Sequence, residues 1–331
     1  MRTWAIRFVV FFLVASVLLS SASLWWVNQP LSLASDPVDL AIEPGTSPRG
    51  VAQLVVESGV QTHPNLLYWV FRLSGRAREI KAGSYEIGQG TTPYQLMRKL
   101  VRGDETLRAI TLVEGWNFRQ LRQALAKAES IKPDTQGLSD SAIMEKLGRS
   151  GLPAEGRFFP DTYNYAKGAS DLAVLKRALR AMDQRLEKAW GQRAQGLPLK
   201  SPEDALTLAS IVEKETGRAS DRAMIAGVFN NRLRIGMLLQ TDPTVIYGLG
   251  ERFDGNLRRR DLLADTPWNT YTRPGLPPTP IAMPGKAALL AAVQPATTKA
   301  LYFVARGDGT SQFSATLDEH NRAVNKFQRG Q

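Results

Sequence analysis

The chain has 331 residues, a length that suits two domains. Hydrophobic residues make up 43% of the sequence and charged residues 22%, a balance that excludes a disordered chain. Lys and Arg number 42 against 31 Asp and Glu, and the resulting net charge of +11 favours anionic partners. Cysteine is absent, which excludes disulfides, thiolate zinc sites and cysteine nucleophiles.

The basic residues are spread along the chain, as on an ordinary solvated surface. The densest run is Arg258-Arg259-Arg260. No RNA-binding, zinc-finger or helix-turn-helix signature accompanies it, so we expect no nucleic-acid partner. The two histidines, His63 and His320, stand alone without the spacing of metal ligands, and we predict neither a metal site nor a cofactor.

The first thirty residues contain an apolar segment, residues 8–27, that starts after Arg7. It is long enough to cross the hydrocarbon core of a bilayer. Trp25-Trp26 lies at its far end, where aromatic residues meet the membrane surface. Because the positive charges precede it, we expect residues 1–30 to form a cytoplasmic N-terminus and a single-pass anchor in the inner (plasma) membrane. The remaining chain is then periplasmic.

A cleaved signal peptide is the alternative interpretation of this segment. Such a peptide has a shorter apolar core, followed by a cleavage site of small residues. The small residues at 20–23 lie inside the apolar run and precede two tryptophans, a pattern that favours an uncleaved anchor. Both interpretations export the rest of the chain.

A strand, a glycine turn, a helix N-cap and an amphipathic helix recur three times between residues 40 and 125. The predicted N-caps are Ser47, Thr92 and Asn117, and proline follows the first two. Such units suit an α+β module, which we place at residues 38–108. They loosely resemble the LysM peptidoglycan-binding unit, and a purely structural β–α repeat fits the pattern equally well.

Two long helices are predicted farther along the chain, from Asp171 to about Gln195 and from Pro202 to Gly217. In the second, Glu215 continues an apolar stripe at helical spacing, whereas Glu213 points elsewhere. A carboxylate on a buried face has a raised pKa, as a general acid requires. The alternative is a helix that frays before Glu215 and leaves its carboxylate in solvent.

A series of ordered motifs closely resembles the endolytic murein transglycosylases, over about residues 38–325. The motifs are Thr111–Gly115, Phe159–Tyr163, Ala209–Thr216, Val228–Met237, Leu239–Gly248, Asn269–Tyr271, Gly275–Pro278 and Leu301–Val304. The family's glutamate aligns with Glu215, just before Thr216. One departure is Ser311, at a position where members often carry histidine.

The resemblance implies a mixed α+β catalytic domain at residues 109–331, with the catalytic glutamate on a helix. It implies internal cleavage of peptidoglycan glycan strands with 1,6-anhydro-N-acetylmuramic acid ends, and termination of nascent strands beside cell-wall synthases. A lytic transglycosylase needs one carboxylate, and we expect Glu215 to act first as acid and then as base. The candidate sugar-binding residues are Gln240, Thr241, Asp242, Tyr247, Asn269 and Tyr271.

Several interpretations remain open from sequence alone. Asp242 equally fits a helix N-cap before Pro243. A hydrolase would use Asp242 or Glu213 as a second carboxylate. A non-catalytic anchored scaffold that binds peptidoglycan through its repeats is the alternative outside the enzymes.

Overall fold

A computed structural model describes residues 2–329, so the predicted boundaries at residues 1 and 331 lie outside the described residues. The fold is mixed α+β, and the described residues contain four two-stranded sheets. The chain divides into two compact units. The first comprises Met1–Arg108 with Asn164–Gly168, and the second comprises Ala109–Tyr163 with Ala169–Gln331.

The first unit is built on an antiparallel pair of strands covered by short helices. Its elements in chain order are α1 (Arg2–Val27), β1 (Ser32–Leu33), β2 (Val38–Ile42), α2 (Pro48–Glu57), β3 (Val60–Gln61), α3 (Pro64–Leu73), β4 (Gly83–Ile87) and α4 (Pro93–Arg102). Strand β2 pairs with β4 from Val38 opposite Ile87 to Ile42 opposite Gly83. Alternate residues of β2 are buried, as expected for a strand with one face on the core.

The three predicted helix N-caps are confirmed. Ser47, Thr92 and Asn117 each accept a hydrogen bond from a backbone N–H in the first turn of the helix that follows. Thr92 and Asn117 form complete capping boxes, with Gln95 and Gln120 respectively. These contacts satisfy N–H groups that a helix start otherwise leaves unpaired, so the local sequence fixes where each helix begins.

In helix α1, none of the Val10–Val27 stretch is buried inside the protein, and this stretch is long and apolar enough to cross a membrane. This helix is compatible with a single-pass membrane anchor. Near its end, Trp26 packs against the apolar core of the first unit. Helix α1 therefore contacts the rest of the first unit directly at its C-terminal end.

The second unit is mostly helical. Its elements in chain order, of which β5 and β6 also include residues of the first unit, are β5 (Leu107–Thr111), α5 (Phe118–Ala126), α6 (Asp140–Lys146), β6 (Thr162–Ala166), α7 (Asp171–Gly191), α8 (Pro202–Glu215), α9 (Ala219–Arg234), α10 (Asp242–Leu249), α11 (Arg259–Leu263), α12 (Lys286–Val293), β7 (Tyr302–Ala305), β8 (Ser311–Ser314) and α13 (Leu317–Val324).

Helix α8 is the centre of this unit and packs against α7, α9, α10 and α12. Every residue from Ala205 to Val212 is buried, so the expectation of a single apolar stripe is wrong. The helix is covered on all sides because four helices surround it. It ends at Glu215 rather than at Gly217, and α7 ends at Gly191 rather than near Gln195.

Candidate active site

Glu215 is the last residue of α8, and its side chain is half-buried in the second unit. The hydroxyl of Thr241 donates a hydrogen bond to Oε1 of Glu215. Burial raises the pKa of Glu215 above its ordinary value, and the charge of Asp242 adds to this rise. The Thr241 hydrogen bond and the positive charge of Arg232 oppose it. Glu215 is therefore half-buried, with its carboxylate held in surroundings that favour the protonated form.

A short turn before α10 holds Thr241 against Glu215. Gln240 adopts a left-handed backbone conformation, with φ +47°, that favours glycine. Its N–H donates to the Thr270 carbonyl at 3.0 Å, and the Thr241 N–H donates to the Thr270 hydroxyl at 3.2 Å. Strained conformations of this kind persist where surrounding contacts fix them, and they concentrate at functional sites. Thr270 thus holds the turn that positions the Thr241 hydroxyl.

Asp242 begins α10 but does not cap it. The N-cap position is Thr241, which makes no side-chain capping bond. Oδ1 of the exposed Asp242 instead accepts a hydrogen bond of 2.5 Å from the Tyr271 hydroxyl. Burial raises the pKa of Tyr271, and the hydrogen bond to Asp242 adds a smaller rise. The structure therefore brings Thr241, Asp242 and Tyr271 together around Glu215.

Asn269 lies near these residues but faces the backbone. Its amide nitrogen contacts the carbonyls of Asp261, Leu262 and Ala264 at 2.6 to 3.3 Å. Its amide oxygen accepts a bond from the Tyr271 N–H at 2.8 Å. The side chain is completely buried, so Asn269 holds the turn that carries Tyr271.

Tyr247 binds the buried carboxylate of Glu155, a residue that was not predicted from the sequence as a site residue. Its hydroxyl donates to Oε2 of Glu155 at 3.0 Å. Glu155 also accepts bonds from the N–H groups of Phe118 and Gly156. Burial raises the pKa of Glu155 to about 7, although these three hydrogen bonds lower it. The pair lines a cavity of about 740 Å³ together with Lys214.

Arg232 is a second residue that the sequence analysis missed. Its guanidinium is buried, and it donates to the carbonyls of Leu301 at 2.6 Å and Leu239 at 2.8 Å. It also lies over the Tyr302 ring, 5.3 Å from the centroid. A signal was present, because Arg232 follows the buried Val228 by four residues and therefore shares its helical face.

Glu213 lies on another side of α8, as predicted, but it is not in solvent. Its side chain is 6% exposed, and Oε2 accepts a hydrogen bond of 2.8 Å from Gly285, the N-cap of α12. Oε1 lies 3.4 Å from Arg222. Burial raises the pKa of Glu213. These contacts give Glu213 a structural task, which is to join α8 to the start of α12.

The model of the YceG-like family matches residues 40–326. The chain belongs to the YceG-like family. This YceG-like chain is 31% identical to the endolytic murein transglycosylase of Bacillus subtilis over 308 residues, which cover 88% of the chain and 84% of the relative. It is 25% identical to the endolytic murein transglycosylase of Streptococcus pneumoniae, over 96% of the chain and 64% of that relative.

A solved structure gives the same assignment. The crystal structure of a yceG-like protein from Listeria monocytogenes matches with a TM-score of 0.54 and 28% identity. The match covers 87% of this chain and 99% of the solved one. Together with the curated relatives, this assigns the YceG-like chain to the lytic transglycosylases, a class of lyases.

Replacing Glu155 by Gln should change how stability depends on pH. The folded state of the native protein holds the Glu155 proton up to about pH 7, whereas a carboxyl with the ordinary pKa of 4.5 releases it earlier. The stabilisation from this proton is complete below about pH 4.5 and is lost as pH rises through about 7. Over that range the native protein should lose about 3 kcal/mol more than Glu155→Gln.

Denaturant unfolding at a series of pH values measures this difference. The raised pKa values of Glu213 and Glu215 are common to both proteins and therefore cancel in the comparison. If the free energies of unfolding of the two proteins changed with pH in parallel, the result would contradict the burial of an ionisable Glu155.

Proposed function

We propose that this protein is an endolytic peptidoglycan lytic transglycosylase that cleaves the MurNAc–GlcNAc β-1,4 bond and leaves 1,6-anhydro-MurNAc ends. The observation that carries the proposal is the buried carboxylate of Glu215, whose pKa is raised and which Thr241 holds by a hydrogen bond. The sequence motifs place the family's glutamate at the same residue. The names of the bacterial relatives support the same substrate.

The proposed reaction uses Glu215 twice. Protonated Glu215 donates its proton to the glycosidic oxygen as the bond from C1 of MurNAc to that oxygen breaks. The C6 hydroxyl of the same sugar then attacks C1, and the Glu215 carboxylate takes the hydroxyl proton. The nucleophile belongs to the substrate, so its proximity replaces the capture of a water molecule. No water is consumed, and Glu215 ends protonated for the next cycle.

The neighbours of Glu215 fit this cycle. The raised pKa favours the protonated acid before reaction, and the Arg232 charge and the Thr241 hydroxyl stabilise the carboxylate that forms. For contacts with the sugar we propose Gln240, Asp242, Tyr247 and Tyr271, whose side chains are exposed or half-buried. For Thr241 and Asn269 we propose positioning roles, because Thr241 binds Glu215 and Asn269 binds backbone groups.

A two-carboxylate muramidase is the second candidate. An ordinary glycosidase needs a pair of carboxyl groups roughly 5–9 Å apart. Glu213 is bonded to Gly285 and Arg222, so it fits a structural role better than a catalytic one. Asp242 is close enough to raise the pKa of Glu215 and is the stronger candidate for the second carboxylate.

Replacing Glu215 by Gln should abolish anhydro products. The amide keeps the size of the side chain but cannot deliver or accept the proton, and loss of general acid/base catalysis costs about 10²–10⁴-fold in rate. Mass spectrometry of digested sacculi measures the products. Cells that carry only Glu215→Gln should also contain longer glycan strands, since we propose that the enzyme terminates nascent strands beside the synthases.

Glu213→Gln is the matched control, two residues away on the same helix. It should retain most activity while it lowers the melting temperature, because it weakens the contact with Arg222. An active and correctly folded Glu215→Gln enzyme would contradict the mechanism. An inactive but folded Glu213→Gln enzyme would show that the catalytic carboxylate is a different one.

Removing the Thr241 hydroxyl should shift the pH profile of activity. Activity should fall as pH rises through the Glu215 pKa, because the acid must start protonated. The Thr241 hydrogen bond lowers that pKa, so Thr241→Val should move the falling limb to higher pH. Thr111→Val, which removes an exposed hydroxyl bonded to Thr162, serves as control. A falling limb that stays unchanged in Thr241→Val, or moves to lower pH, would contradict the hydrogen bond from Thr241 to Glu215.

For the whole chain we propose an anchor at residues 1–30, a LysM-like module at 38–108 and a catalytic domain at 109–331. If the module binds glycan, a fragment of residues 38–108 that folds by circular dichroism should pellet with purified sacculi. Pelleting no better than an unrelated basic protein would leave the repeats a structural role.

We further propose that the anchor spans the inner membrane with the N-terminus in the cytoplasm and both folded units in the periplasm. The site then faces the compartment in which peptidoglycan is assembled, beside synthases such as penicillin-binding proteins. Labelling of a cysteine introduced into the first unit, in intact spheroplasts, tests this orientation.

A further inference from the structure

A groove of about 780 Å³ lies within the first unit, between the end of α1 and the helices α3 and α4. Its apolar lining includes Leu19 and Trp26 of α1, Leu66, Trp69 and Leu73 of α3, and Tyr94 of α4. All of these except Trp26 are largely exposed. A concave surface with this composition is not expected to face water.

Helix α3 carries apolar side chains on two faces. Leu67 and Phe71 are completely buried in the core of the first unit. On the other face, Leu66, Trp69 and Leu73 are 48%, 54% and 79% exposed. Their spacing of three and four residues aligns them along the groove. The inner face accounts for the fold of the module, so the outer stripe needs a separate explanation.

The anchor helix places this groove at the membrane. The candidate span ends at Val27, and Leu19 lies eight residues before it, about 12 Å along the helix axis at roughly 1.5 Å per residue. A groove wall that includes Leu19 therefore extends below the membrane surface. Because Trp26 packs on the core of the module, α3 is held beside the anchor. This step rests on the membrane anchor in the proposed function.

The polar rim of the groove suits an anionic lipid headgroup. Arg76 and Arg98 line it, and no acidic residue is among the described residues that do. The Arg98 guanidinium lies over the Tyr94 ring, 5.6 Å from the centroid. Tyr and Trp beside basic residues are typical of the interface between hydrocarbon and headgroups. Basic side chains near that surface attract anionic lipids.

We propose that this groove is immersed in the outer leaflet of the membrane and holds an acyl chain of an anionic phospholipid, with Arg76 and Arg98 at its phosphate. The exposed apolar stripe of α3 then contacts the acyl chain, and Arg76 and Arg98 on the rim of the groove contact the anionic phosphate. Contact along both α1 and α3 holds the module against the bilayer at two places, whereas the anchor alone would leave it free to tilt.

Because the chain has no cysteine, single introduced cysteines report the surroundings of this groove in the full-length protein. Leu73→Cys lies on the exposed stripe, and Gln53→Cys on the exposed surface of α2 is the matched control. In intact spheroplasts, a membrane-impermeant maleimide should label Gln53→Cys. Labelling only after lysis would contradict the proposed orientation and with it the placement of the groove in the outer leaflet.

Spin labels on the two variants, in nanodiscs that each hold one copy, measure depth. The Leu73→Cys label should be accessible to oxygen and shielded from a water-soluble nickel reagent, while the Gln53→Cys label shows the reverse. A Leu73→Cys label in water, on protein that remains inserted in the disc, would overturn the groove proposal and leave the anchor standing. Shielding that appears only with two copies per disc would identify a second chain as the occupant and would equally overturn it.

The headgroup is tested by lipid retention. Nanodiscs of phosphatidylcholine mixed with phosphatidylglycerol are dissolved in mild detergent, and native mass spectrometry counts the lipids that stay bound. The double variant Arg76→Gln and Arg98→Gln should retain several-fold less phosphatidylglycerol than the native protein. Arg102→Gln, which removes an exposed arginine of α4 outside this groove, should retain it unchanged. Equal retention by all three proteins would refute an anionic headgroup site.

Discussion

The burial of one carboxylate at the end of a central helix sets the requirements for the rest of the active site. Glu215 lies where α8 leaves the core, so desolvation of its charge raises its pKa and favours the protonated form. An isolated buried carboxylate would only destabilise the protein. The adjacent Thr241 hydroxyl and the buried Arg232 charge oppose this rise and stabilise the ionised form. A group that must give and then take a proton needs this balance.

The surrounding elements maintain that balance from several directions. Thr270 fixes the turn at Gln240, and Asn269 fixes the turn that carries Tyr271. Glu155 accepts hydrogen bonds from Tyr247 on α10 and from the first residue of α5, so it connects α10 to a second helix start. These polar contacts near Glu215 are made between protein groups. They hold α10 in place before any sugar binds, and a preorganised site of this kind loses little free energy to reorganisation during the reaction.

The parts that the sequence predicted are those that depend on neighbouring residues. Ser47, Thr92 and Asn117 cap their helices through contacts three residues away, so the pattern contains the whole interaction. Helical spacing and the family resemblance both predicted Glu215 as the catalytic residue and set Glu213 on another side of α8. Spacing did not predict that α8 is buried on all sides or that the Glu213 side chain is also largely buried. Glu155 contacts a backbone group 37 residues earlier and a hydroxyl 92 residues later, and no local pattern reveals such partners.

In the proposed mechanism a single carboxylate catalyses an intramolecular closure without water. Digestion of purified sacculi by the native enzyme in water enriched in oxygen-18 tests it most directly, since hydrolysis and transglycosylation differ in the origin of one oxygen atom. Mass spectrometry should find anhydro-MurNAc ends that carry no oxygen-18. Reducing MurNAc ends that carry oxygen-18 would instead show that water attacks C1 and that a second carboxylate, such as Asp242, takes part.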